Sequence, residues 1–115
     1  MLKPPKYKAR SHDYLEEQLR KVQNKLQLRD WEITLYTDDY PPEKFADDNN
    51  CDCSARCEYE LQYLTAHVWV SPKRARTDGV DPLFYLYHEA AHIWIVSHNE
   101  ELRVNTIALL LNTIM

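Results

Sequence analysis

The chain has 115 residues, 44% hydrophobic and 28% charged, enough for one compact domain with a core and a soluble surface and too few for two. A formal net charge of −4 excludes a global basic field of the kind that draws a protein to nucleic acid. The longest apolar run, Ile107 to Leu111, is far too short to span a bilayer, and the start MLKPPKYKAR has charge but no apolar stretch of the secretory kind. These features lead to the expectation of a cytoplasmic protein with neither a membrane nor a nucleic-acid partner.

Residues 1–10 form a basic arm holding Lys3, Lys6, Lys8 and Arg10, in which Pro4 and Pro5 block helix, so a solvated tail is expected there. The domain proper covers residues 11–115. Ser11 is a good cap for a first helix running to about Leu28, with Leu15, Leu19, Val22 and Leu26 at helical spacing. Trp31 to Tyr36 alternates apolar and polar residues and reads as a first strand. Thr37 to Asn50, rich in Asp, Asn and Pro, reads as a solvated loop, without the ligand spacing or central Gly of a calcium loop.

Cys51 to Tyr59 reads as a second strand and Tyr63 to Val70 as a third, joined by a short hairpin link. An odd count of three cysteines without a signal peptide argues for reduced thiols. Their C-x-C-x3-C spacing lacks the paired C-x2-C knuckles of structural zinc sites, and it puts Cys51, Cys53 and Cys57 on one strand face as small apolar side chains. Ser71 to Gly79 reads as a basic loop. Asp81 followed by Pro82 is a strong helix start, and that helix runs to about Val96. Asn99 caps a last helix from Glu100 to about Thr113. The expected fold is α+β: a small antiparallel sheet of about three strands, an N-terminal helix, a central helix and a C-terminal helix.

The chemistry lies in the central helix, where His88-Glu89-Ala90-Ala91-His92 is an H-E-x-x-H motif. Residues four apart share a helix face, so His88 and His92 can reach one tetrahedral Zn2+ ion. Glu89 projects to the side, placed to act as a general base on a water rather than as a ligand. A third ligand is open between two positions. His98 completes the H-E-x-x-H-x5-H spacing of the metzincins, but Ile95 stands where those proteins have a helix-breaking Gly, and no Met follows before the last residue. Glu101, in the first turn of the last helix, needs only a tight turn at Ser97-His98-Asn99 to reach the pair, and Glu100 takes its place if the helix starts one residue earlier.

The H-E-A-A-H segment, a short turn, and then Glu101-Leu102-Arg103-Val104-Asn105-Thr106-Ile107-Ala108 together resemble the gluzincin arrangement in its smallest form. The chain is similar to the minimal gluzincin metallopeptidases and to the metallopeptidase-like proteins of phages and prophages. Its E-x-x-V-N-x-x-A stretch is similar to one in metallopeptidases that cleave phage repressors. The resemblance implies a zincin-like domain that hydrolyses peptide bonds in a peptide or protein substrate, with His88, His92 and Glu101 as zinc ligands and Glu89 as base. It also implies that the third strand is the edge that binds an extended peptide, with Tyr87 and His67 as the residues available to steady an oxyanion. The rival expectation is a zinc-stabilised binding or regulatory protein with little turnover.

Overall fold

The structure is a computed structural model and describes residues 3–43, 45, 53–98, 108 and 111. These residues form an α+β fold. Its elements are α1 (His12–Lys25), β1 (Glu32–Tyr36), β2 (Ala55–Glu60), one turn of 3-10 helix (Leu61–Tyr63), β3 (Thr65–Val70), α2 (Pro72–Asp78) and α3 (Pro82–Ser97). Of the expected C-terminal helix only Ala108 and Leu111 are described, both helical and exposed. Glu100, Glu101 and Cys51 lie outside the described residues.

α1 starts where expected, with the Ser11 hydroxyl accepting the Tyr14 N–H at 3.1 Å. It stops short of Leu28 because Gln27 turns to a left-handed φ of 57°, and the Leu28 N–H returns to Gln23 O at 2.7 Å. That closing bond satisfies a last-turn carbonyl and drops Leu28 into the core.

The sheet is mixed rather than antiparallel, in the order β1-β3-β2. The β2–β3 hairpin is antiparallel as expected, with Leu64 at a left-handed φ of 53° leading into β3. β1 instead pairs in parallel with β3, Ile33 opposite Ala66 and Leu35 opposite Val68. The long connection after Tyr36 is what permits this, since a parallel partner needs a return of a dozen residues or more. Both sides of β3 are therefore paired, and the expectation that it is a free edge fails. Among the described residues the outer strands of the sheet are β1 and β2.

One sheet face, formed by Ile33, Leu35, Ala66, Val68 and Val70, meets Leu15 and Leu19 of α1 and Leu86 and Ile93 of α3 in a single core. Burial of side chains of this size contributes about 1.5–3 kcal/mol each. The other face carries Tyr36, His67 and Trp69, because successive strand residues alternate. The stretch from Thr37 folds back along this side instead of standing in solvent. Trp69 Nε1 donates to Asp38 O at 2.8 Å, Ser71 Oγ donates to Asp39 O at 2.8 Å, and Phe45 is buried edge-on to the Tyr36 ring.

Three further expectations are corrected. Residues 71–79 are not a loop. Ser71 caps α2 by accepting the Arg74 N–H at 3.1 Å, Pro72 fits its first turn, and Gly79 ends it at φ 72°. That is the Pro-in, Gly-out asymmetry of helix ends in general, compressed into two turns. The N-terminal arm is also no free tail, since its backbone bonds to Gly79 and Asp81. Among the cysteines, Cys53 precedes β2 and is disulfide-bonded, so three reduced thiols are not what the structure holds. Cys57 is free and packs against the core as a small apolar side chain.

Candidate metal centre

α3 is built to be buried on one side. Asp81 caps it, Oδ1 accepting the Leu83 N–H at 3.0 Å, and Pro82 fits the first turn without wasting a donor. Pro82, Leu86, Ala90, Ile93 and Ser97 then form the buried stripe. His88 and His92 lie on the side of the helix turned away from that stripe and are exposed, whereas Glu89 lies on its margin and is only 6% exposed.

The two imidazoles face each other. Their Nε2 atoms are 3.2 Å apart and their rings are nearly perpendicular, at 81° with centroids 4.8 Å apart. Two nitrogens each about 2.0–2.1 Å from a tetrahedral zinc stand about 3.3–3.4 Å from one another, so this spacing fits one shared ion. Ligand atoms of His88, Glu89 and His92 all lie within 4.8 Å of one another, a group that could hold a metal ion.

Glu89 has no hydrogen-bond partner among the described residues, and burial pushes its carboxyl up to about 7. Cys57 lies on β2, a strand that packs against α3. Burial, and then the charges of Glu89 and Glu58, push its thiol up to about 12, so it stays neutral. The influence of Glu89 on Cys57 is not legible in the sequence, since it depends on which strand packs against α3.

The other expected residues that the structure describes are placed apart. α3 runs unbroken through Ser97, so His98 lies six residues and about 9 Å along the axis from His92. Its Nδ1 is 2.9 Å from Trp94 O, and its ring stacks on Trp94 with centroids 4.5 Å apart. It belongs to the helix end and not to the His88–His92 group. His67 points away from α3, across the sheet, where its Nδ1 is 3.2 Å from the Tyr36 hydroxyl. Tyr87 is next to His88 in sequence but about 100° round the helix from it. Glu101 and Glu100 lie outside the described residues.

The class of site is thus a helix-borne imidazole pair with a buried carboxylate beside it. The chain matches no protein-family model, no curated protein and no solved structure. Among the described residues no helix is long and apolar enough to cross a membrane.

Proposed function

We propose that this chain is a zinc-dependent, metallopeptidase-like hydrolase acting on peptide bonds. The observation that carries the reading is the facing pair of Nε2 atoms at 3.2 Å, with Glu89 buried on the same turn of helix. His88 and His92 are the zinc ligands, and Glu101 is the third on the strength of the gluzincin resemblance. Two imidazoles and a carboxylate suit zinc with a position open to water. Bound zinc supplies acidification of a water and polarisation of the scissile carbonyl. Glu89 takes a proton from the attacking water and returns it to the leaving amine. An extended peptide is best placed along β2, which among the described residues is an outer strand and packs with α3, in place of the central β3.

The test is metal analysis and peptide hydrolysis on protein purified without chelator. About one equivalent of zinc is expected, with cleavage of an unstructured peptide library that disappears in Glu89→Gln. Absence of bound zinc from the wild type sinks the proposal. A second reading, a zinc-stabilised binding or regulatory protein, is favoured by one observation: His67 lies on the far sheet face and Tyr87 is turned from the imidazoles, so neither named residue is aimed to steady an oxyanion. Full zinc occupancy with no cleavage, in wild type and Glu89→Gln alike, selects that reading.

A further inference from the structure

The start of α3 is held by a segment some seventy residues away. Asp81 N–H donates to Pro5 O at 3.0 Å, Tyr7 N–H donates to Gly79 O at 2.9 Å, and Lys6 bridges Val80 in antiparallel fashion. Arg10 closes the arrangement with two parallel bonds to one carboxylate, Nε to Asp81 Oδ1 at 3.1 Å and Nη2 to Oδ2 at 2.9 Å. Such a fork is directional as well as strong. The same Oδ1 also accepts the Leu83 N–H, so one buried carboxylate joins the helix cap to the arm. The Arg10 guanidinium lies 4.6 Å from the centre of the Tyr14 ring, at the first turn of α1.

The proposed chemistry uses none of this, yet all of it bears on the helix that carries the imidazoles. His88 stands seven residues, about two turns, past Asp81. Its 3.2 Å approach to His92 exists only while those turns stay helical, and helix ends are where opening begins. We infer that residues 5–10 are a strap that fixes the start of α3 and, through it, the His88–His92 pair, with Arg10 as the positioning residue. The significance of the strap for zinc rests on the function proposed above, but its hold on the helix does not.

The full-length wild type is compared with Arg10→Ala, Arg10→Lys, Asp81→Asn and the double variant Arg10→Ala/Asp81→Asn. Amide hydrogen exchange is measured without metal, and zinc affinity by chelator competition. Asp81→Asn keeps a capping oxygen and removes the charge, which separates the clamp from the cap. The expectation is about tenfold faster exchange across residues 83–92 in Arg10→Ala and in Asp81→Asn, the double variant being no worse than either. Arg10→Lys should fall between, because an ammonium cannot reproduce the fork. Zinc affinity should weaken about three- to tenfold in the same order. Wild-type exchange rates at residues 88–92 in both single variants, with overall stability lowered, overturn the inference and reduce the strap to an anchor of the N-terminus. Should Arg10→Ala fail to fold, Asp81→Asn and Arg10→Lys carry the same comparison. A wild type that binds no zinc defeats the metal reading alone, and the exchange rates still decide the strap.

Discussion

α3 carries two buried carboxylates that behave in opposite ways. Asp81 and Glu89 are each 6% exposed. Burial alone raises a carboxyl, and at Glu89 nothing opposes it. At Asp81 burial is the largest single influence too, but the Arg10 bond, the Leu83 N–H and the charges of Arg10 and Lys8 together outweigh it and hold the carboxyl below its usual range. Equal surface exposure, with a deeper carboxyl at Glu89 and ionic partners at Asp81, pushes the two groups in opposite directions.

The largest test of that contrast is Glu89→Gln. If Glu89 is the base, hydrolysis should fall by about 10²–10⁴-fold while zinc content is unchanged. The metal-free variant should also melt several degrees higher than wild type, since an amide replaces a buried carboxyl that has no partner among the described residues. Calorimetry and metal analysis on the same preparation check both halves. Retained hydrolysis in Glu89→Gln removes the role assigned to it. His88→Ala or His92→Ala should instead abolish zinc binding, and full metal content in either would defeat the site.

The next effect concerns what completes the centre. Glu101→Ala should lower zinc affinity by more than the about 10- to 100-fold that loss of an outer-shell partner costs. A loss seen only in Glu100→Ala keeps the reading and moves the ligand by one residue. Metal titration of the two variants decides between them.

At the other carboxylate the expected effects are on stability. Arg10→Ala should cost about 2 kcal/mol, typical of hydrogen bonds to a charged group, by chemical denaturation near neutral pH. The sign of the pH dependence follows from the lowered Asp81 carboxyl. Its contribution is complete above the unfolded value near pH 4 and is lost as pH falls through the lower folded value. Arg10→Ala should therefore be less stable than wild type at neutral pH, with the two curves converging in acid. A constant gap down to pH 2 would show that packing, not the charge pair, accounts for the loss.

These two regions also differ in how far the sequence revealed them. H-E-x-x-H and the Asp81-Pro82 start are local patterns, so the helix and its imidazole pair could be read directly. The hairpin and the α+β class followed from periodicity in the same way. Arg10 carried no such signal, because its partner lies far off in the chain and a basic residue in an arm that contains two prolines reads as tail. The parallel β1–β3 pairing was hidden for the same reason: alternation assigns a face to each residue but not a neighbour to each strand. Ser71-Pro72 with Gly79 was legible and was outweighed by the basic composition of the segment. The influence of Glu89 on Cys57 depends on the strand order, which no local pattern supplies.

The smallest expected effect discriminates between the two families of third ligand. His98 closes α3, with Nδ1 near Trp94 O at 2.9 Å and Ser97 Oγ at 3.0 Å, and stacks on the Trp94 ring at 25°. A metzincin-like role would require the helix to break near Ile95 and return the imidazole to the pair. The helix does not break there, and β-branched Ile95 has no preference for the left-handed backbone that such a break uses. His98→Ala should thus cost only the exposed stack and the end bond, about 0.5–1 kcal/mol, and leave zinc affinity where it was. Chelator competition and thermal melts on His98→Ala measure the two quantities separately. A tenfold or larger fall in zinc affinity with unchanged melting would mean that α3 opens at Ile95 when metal binds, and would transfer the third position from Glu101 to His98.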